Sequence, residues 1–234
     1  MERSRGGAQE PAKLSEATRL ALRLAPAVGD LRVLAAIASI PRERFVEPSL
    51  RDRAYANVAL PIACEQTISQ PLVVARMLEL LELRPSDRVL DVGTGSGYHA
   101  ALLALLAGEV YTLERHPELA RTAEQTVAEL GLGNVHFSVG DGWEGLPEHA
   151  PFDAINVAAA TGPEPPPALL AQLAPGGRLV APVGGASQRL TLVRRTDSGI
   201  AETTLEGVRF VPLVREDEEP LGEGQPTHPD DEQA

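Results

Sequence analysis

Asp91-Val92-Gly93-Thr94-Gly95-Ser96-Gly97-Tyr98 stands between two stretches of opposite character. Ahead of it, Arg88-Val89-Leu90 is short, apolar and of strand type; behind it, His99 to Ala107 is rich in Ala and Leu and of helix type. Strand, glycine turn and helix in that order open a nucleotide-binding α/β sheet. Glycine suits the turn because it reaches positive φ and lets a ligand approach the backbone. The spacing is G-x-G-x-G, not the G-x-G-x-x-G of dinucleotide folds, and Asp91 sits two residues before the first glycine. No Lys or Arg lies between Asp91 and Tyr98, so the loop lacks the lysine of a phosphate-gripping loop. It suits a ligand without phosphates that tolerates nearby carboxylates. S-adenosylmethionine, a nucleoside with a sulfonium, an ammonium and a carboxylate, has that character. The alternative is an ordinary glycine-rich turn before a helix.

Working outward, the second strand, Glu109 to Leu113, ends in Glu114, about 20 residues past the loop, where such folds place an acid on ribose hydroxyls. A solvated strand end is the other reading of Glu114. Pro117 to Leu130 is expected to be a helix with Pro117 in its first turn and Gly131 at its end. Asn134 to Val139 is the third strand, followed by Gly140-Asp141-Gly142. Asp141 could bond the adenine amino group or could serve only a tight turn. Phe152 to Val157 is the fourth strand, Pro165 to Leu173 a helix opened by prolines, Ala174-Pro175-Gly176-Gly177 a turn, and Arg178 to Pro182 the fifth strand. Leu190 to Arg195 and Val208 to Leu213 alternate as the last strands. The pattern predicts an α/β, Rossmann-like fold: a mostly parallel seven-stranded sheet with helices on both faces. Asp91, Glu114 and Asp141 are then expected at strand ends around one crevice.

Upstream, Lys13 to Ala25 and Asp30 to Ser39 have helical spacing, and Pro41 stops the second. Phe45, Val46, Tyr55 and Pro61 fall in an irregular stretch expected to cap the sheet. In Gln66-Thr67-Ile68-Ser69-Gln70-Pro71, Pro71 suits the first turn of a helix over Leu72 to Leu83. Ser69 is then a helix cap, a hydroxyl that holds a carboxylate, or both. The divisions expected are a disordered arm over 1–12, a helical N-terminal region over 13–84, a Rossmann-like core over 85–215, and an acidic disordered tail over 216–234.

Composition limits the partners. The formal net charge is −12, but 8 of the 33 acids lie in residues 216–234, which contain no Lys or Arg. The remaining 25 acids face all 21 bases, so residues 1–215 carry only −4. An acidic chain without a basic stripe argues against nucleic acid as a partner. Hydrophobic residues make up 43%, enough for a large core, and aromatics only 3%, so that core must be aliphatic. The single cysteine, Cys64, allows no internal disulfide and fits a reducing compartment. Residues 1–12 show no apolar signal region, and the apolar run from Ala100 to Ala107 falls short of the ~20 residues a bilayer span needs. A cytoplasmic, membrane-free chain is expected.

Beyond these readings, the chain resembles the protein-L-isoaspartate O-methyltransferases over roughly residues 30–214. The resemblance rests on Arg32-Val33-Leu34, Pro41 to Val46, Thr67-Ile68-Ser69-Gln70-Pro71, Asp91 to Tyr98, Val139-Gly140-Asp141-Gly142, Pro151 to Ile155, Leu173 to Leu179, and Val208-Arg209-Phe210-Val211-Pro212-Leu213. Thr-Ile-Ser-Gln-Pro, Gly-Asp-Gly and Phe-Val-Pro-Leu are the specific parts; the glycine loop and the Pro-Gly-Gly turn occur in many methyltransferases. The resemblance implies a cytosolic repair enzyme that moves methyl from S-adenosylmethionine onto the free carboxylate of an L-isoaspartyl residue in damaged proteins and peptides. It places the active-site serine on Ser69 and substrate contacts on Thr67, Ile68 and Val211. The cofactor would meet Gln70, Asp91, Gly93, Gly95, Gly97, Glu114, Asp141 and Gly142. A monomer is expected, and no metal, since the histidines are scattered and no Cys/His cluster exists. The chain departs from the family at Cys64-Glu65-Gln66, where bacterial relatives often carry Gly-Gln, and at Ala158, often a threonine. Glu65 adds a carboxylate at the substrate entrance. Two other functions are weighed beside repair: esterification of a dedicated peptide, and a non-catalytic module that binds cofactor and a partner.

Overall fold

The computed structural model describes residues 14–215. The expected arm over 1–12 and tail over 216–234 lie outside the described residues.

Two short helices, α1 (Glu16–Leu24) and α2 (Leu31–Ser39), begin the chain. Each starts at a side-chain cap: Ser15 accepts the N–H of Thr18, and Asp30 accepts that of Arg32. A hairpin, β1 (Leu60–Pro61) and β2 (Thr67–Ile68), leads directly into α3 (Pro71–Leu80). The core alternates as expected through β3 (Arg88–Val92), α4 (Tyr98–Leu106), β4 (Glu109–Glu114), α5 (Pro117–Glu129) and β5 (Val135–Val139). It continues through β6 (Phe152–Val157), α6 (Pro167–Ala171), β7 (Leu173–Gly184), β8 (Gln188–Thr196) and β9 (Gly199–Val208).

The large sheet has seven strands in the order β5-β4-β3-β6-β7-β8-β9. Strands β3 to β7 pair in parallel, and β8 and β9 join antiparallel. Successive core residues of β3 face opposite sides: Val89 joins the aliphatic cluster under α1 to α4, and Leu90 the cluster that includes Leu169 of α6. Burial on both faces is what a parallel sheet with helices on each side requires. Order reverses at β3, with β4 on one side and β6 on the other, so the crevice opens at the carboxyl ends of these strands.

The structure corrects three boundaries. The seventh strand is Gly199–Val208, not Val208–Leu213. It is an edge strand, almost wholly exposed, so it lacks the apolar alternation used to find strands. The apolar segment 209–214 instead crosses the carboxyl ends of the sheet and bridges Ala160 through Pro212, with Ala160 N–H donating to the Val211 carbonyl at 2.8 Å. The expected turn at Ala174 to Gly177 lies inside β7 as a bulge, because the partner register jumps between Phe152 and Ala154. The proline-opened helix is shorter than expected, Pro167–Ala171.

The turn of the β1–β2 hairpin holds two consecutive non-glycine residues in the left-handed region, Cys64 (φ 56°) and Glu65 (φ 57°). The Gln66 N–H closes it on the Ala63 carbonyl at 3.2 Å. This is the geometry that favours Asn-Gly. Glu65 is exposed and its side chain makes no hydrogen bond among the described residues, so Glu65→Gly should stabilise the fold by about 1 kcal/mol through relief of the left-handed penalty. Urea denaturation of the two proteins measures it; a lower midpoint for the glycine variant would show that the turn is not strained.

Candidate active site

The crevice at the carboxyl ends of β3 and β4 is a cleft of about 840 Å³, open to solvent. Its floor is Val92, Gly93, Thr94, Gly95 and Ser96; its walls include Ile68, Leu113, Glu114, Gly142, Ala158 and Leu213. Gly93, Gly95 and Gly97 all have positive φ (87°, 52° and 87°), which is why the loop spends three glycines. Gly97 caps α4, and a Cβ there would meet the Ala123 Cβ at 2.9 Å, so the third glycine serves close packing of α4 on α5. Gly142 is equally constrained, since a Cβ would fall 2.7 Å from Val92 Cγ1 and 2.8 Å from Leu213 Cδ1.

Glu114 ends β4 and is 5% exposed, so it is not a solvated strand end. Its Oε2 accepts the Gly95 N–H at 2.9 Å and its Oε1 the His116 N–H at 3.0 Å. The carboxylate therefore ties the glycine loop to the next strand and still lines the cleft. The three acids expected around one crevice separate. Asp91 is wholly buried beneath the loop, flanked in register by Thr112 on β4 and Asn156 on β6. Asn156 Nδ2 donates to Asp91 Oδ1 at 2.8 Å and Thr112 Oγ1 donates to Oδ2 at 2.9 Å. Because Thr112 spends its proton on Asp91, Thr94 must donate in the 2.6 Å Thr94–Thr112 contact. Asp91 thus holds the first glycine turn from below without lining the cleft. Asp141 does not line it either: its Oδ1 accepts the Trp143 N–H at 2.8 Å, and it borders a neighbouring depression with Trp143 and Arg215.

Burial pushes the Asp91 carboxyl up to about 6; the Asn156 and Thr112 hydrogen bonds oppose this, and Glu114 adds to it. A group bound more tightly to its proton when folded stabilises the fold fully below its unfolded value of 3.8, and that contribution is lost as pH rises through 6. The stability of the wild type relative to Asp91→Asn should therefore fall between pH 4 and 6 and level off above. Urea titrations of both proteins across that window would show it, and a constant gap would refute it.

Ser69 joins β2 to α3. Gln70 occupies the cap position of α3 but makes no side-chain cap. The helix start is served from elsewhere: Asn57 Oδ1 accepts the Leu72 N–H at 3.0 Å. Ser69 is thus relieved of capping, the simpler of the roles its sequence context allowed, and its hydroxyl has no hydrogen-bond partner among the described residues. Thr67, Ser69 and Val211 line the cleft and also a broad groove on its far side, bordered by Gln70, Val73, Gly185 to Gln188 and Gly207 to Phe210. Gln70 faces that groove rather than the cleft. Sequence reasoning did not find Asn57, Thr112, Asn156 or the buried Tyr98 and His99, which also line the cleft. For Thr112 and Asn156 the signal was weak, since a buried polar residue on a strand looks like one facing water.

The cleft fits S-adenosylmethionine. Its backbone floor admits close approach, its apolar walls suit a purine, and its buried acid suits hydroxyls and positive charge. No group of three or more His, Cys, Asp or Glu able to hold a metal exists among the described residues. A seven-stranded sheet of this order with a glycine-loop cleft at its switch point defines a Rossmann-like methyltransferase.

The comparisons narrow the class. The model of the protein-L-isoaspartate(D-aspartate) O-methyltransferase family, PCMT, matches residues 20–218. The chain belongs to that family. A protein-L-isoaspartate O-methyltransferase from Koribacter versatilis (strain Ellin345) is 53% identical over 188 residues, covering 80% of this chain and 84% of its own. A solved protein-L-isoaspartate O-methyltransferase superposes with a TM-score of 0.75 at 29% identity, over 83% of this chain and 64% of that one. A PCMT chain from Plasmodium falciparum, solved in complex with S-adenosyl-L-homocysteine, gives a TM-score of 0.75 at 25% identity, over 85% of this chain and 98% of its own.

Proposed function

We propose that the chain transfers methyl from S-adenosylmethionine to the free carboxylate of L-isoaspartyl residues in damaged proteins and peptides, which initiates their repair. One observation carries this reading: the unpartnered Ser69 hydroxyl stands where the cleft meets the outer groove. Bound in the cleft, S-adenosylmethionine supplies an electrophilic methyl on its sulfonium. Gly93, Gly95, Glu114 and Gly142 would hold it directly, with Asp91 and Gly97 fixing the loop from behind and Asp141 and Gln70 at its margins. The peptide would lie in the groove against Thr67, Ile68 and Val211. The Ser69 hydroxyl would donate to the acceptor carboxylate and aim it at the cleft.

An isoaspartyl carboxylate is ionised at neutral pH, so no general base is needed. The cleft agrees with that. Burial, with the nearby Arg42 charge, lowers His99 to about 4, leaving it neutral. The work left to the residues is alignment and exclusion of water. No helix among the described residues is long and apolar enough to cross a membrane. The lone Cys64 supports a reducing, cytoplasmic setting.

The test uses paired peptides that differ only in isoaspartate against aspartate, with labelled S-adenosylmethionine. Base-labile methyl ester should form on the isoaspartyl peptide alone. Ser69→Ala should lower turnover by about one to two decades, the worth of one hydrogen bond to a charged group, with cofactor affinity preserved. Equal labelling of both peptides would reject repair. Binding of cofactor without labelling of either would turn the assignment to a dedicated peptide or a binding module.

A further inference from the structure

Among the described residues, the largest fully buried side chain is a cation. Arg42, in the short 3-10 turn Arg42–Phe45, is 0% exposed. Its Nε donates to the Ala54 carbonyl at 2.8 Å, and its Nη2 donates to the Ser69 carbonyl at 2.7 Å. The guanidinium lies over the ring of Tyr98, 4.7 Å from the centroid. Tyr98 is the first residue of α4, directly after the glycine loop, and Phe45 packs edge-on against it at 5.4 Å. No carboxylate pairs with Arg42 among the described residues. Among the described residues, no hydrogen bond of good geometry reaches its Nη1, Tyr98 Oη or His99 Nε2.

A buried, unpaired charge is costly, and a Met or Leu would fill the same space at less cost. What an apolar residue cannot do is hold two carbonyls from separate segments. One of those carbonyls belongs to the residue that carries the free hydroxyl, while the other face of the guanidinium rests on the start of α4.

We propose that Arg42 is a positioning residue for methyl transfer: it fixes the Ser69 peptide against the Tyr98 end of the glycine loop, setting the Ser69 hydroxyl relative to the cleft. This rests on the isoaspartyl methyltransferase reading above. The Ser69 carbonyl and side chain share one Cα, so holding the carbonyl at 2.7 Å limits where the hydroxyl can swing. The same anchor leaves a positive charge behind the acceptor site, which favours an anionic carboxylate there. Burial lowers the Arg42 guanidinium only to about 10, so it stays charged at neutral pH.

The experiment is a double-mutant cycle in the full-length protein. Wild type, Arg42→Lys, Arg42→Met, Ser69→Ala and the Arg42→Lys/Ser69→Ala pair are assayed on the isoaspartyl peptide, with thermal unfolding measured alongside. Lysine keeps the charge but reaches one carbonyl at a time. Arg42→Lys should lower kcat about tenfold or more, as small misalignments do, with KM for S-adenosylmethionine within about twofold. Arg42→Met should fall further. In the Ser69→Ala background the lysine change should cost less than about threefold, because the hydroxyl it positions is gone. Additive losses, a cofactor KM that rises in step with the loss, or unfolding of both Arg42 variants would reduce Arg42 to a core residue and overturn the proposal. Full activity in Arg42→Lys would overturn it alone, whereas no ester from the wild type would overturn the repair reading with it.

Discussion

Asp87→Ala is expected to cost about 3–5 kcal/mol of folding stability, because it strands a buried arginine. Arg178 on β7 donates through Nη2 to Asp87 Oδ2 at 2.6 Å, with the two side chains only 9% and 6% exposed. The same Nη2 bonds the Glu82 carbonyl at 2.7 Å, Nη1 the Asp153 carbonyl at 3.2 Å, and Nε the Leu81 carbonyl. Asp87 also accepts the Arg84 N–H at 3.1 Å, closing the turn that feeds β3. One ion pair thus joins the end of α3, the start of β3 and the middle of β7. Removing the acid leaves the guanidinium charge without its counter-ion and opens that turn. Replacing both partners by apolar residues of similar size should cost much less, since the desolvation penalty goes too. Urea unfolding of the single and double variants measures this. The cluster lies at the amino ends of the strands, away from the cleft, so the KM for cofactor should be unchanged in Asp87→Ala wherever it remains folded. A single variant within about 1 kcal/mol of the wild type would show that the carbonyls alone satisfy Arg178.

Glu114→Ala should weaken S-adenosylmethionine binding on the order of 100-fold, the equivalent of about 3 kcal/mol. The carboxylate is the acceptor for two backbone donors, Gly95 N–H in the glycine loop and His116 N–H just after β4. Alanine leaves both donors without that acceptor, frees the middle glycine of the loop, and removes a carboxylate that lines the cleft. Glu114→Gln should fall between, since one carboxamide oxygen can serve only one of the two sites well. Calorimetry with S-adenosylmethionine reads the affinity directly and is independent of any peptide. Binding within threefold of the wild type would remove Glu114 from the cofactor site.

Much of this fold was legible because elements with strong periodicity advertise themselves. The Ala and Leu run after Gly97 is helical and buried on nearly every side, and β3, β4 and β6 fall within a residue or two of the expected bounds. The exposed edge strand Gly199–Val208 was not legible, since with no buried face it carries no apolar period. The apolar segment after it was read as a strand because alternation marks burial, not sheet pairing. That segment is only partly covered: Phe210, Val211, Leu213 and Val214 are half-buried where it runs over the cleft, and Trp143 Nε1 donates to the Leu213 carbonyl at 3.0 Å.

The candidate site divides in the same way. By itself the sequence determined the glycine loop, the acid at the end of the second strand, the serine before α3 and the class of ligand, because each depends on a few adjacent residues and their local geometry. Only the tertiary structure decided which acid lines the cleft. Asp91 and Glu114 looked alike in sequence, yet the first is closed in by Thr112 and Asn156, 21 and 65 positions away, and the second opens on the cleft. It also decided that Asn57 caps α3 and so frees Ser69, and that Arg42 grips the Ser69 carbonyl from 27 positions away. The physical reason is common to all of these. Hydrophobic period separates water from core along one element, but hydrogen bonds between buried polar groups depend on strand order and chain crossings that no local pattern carries.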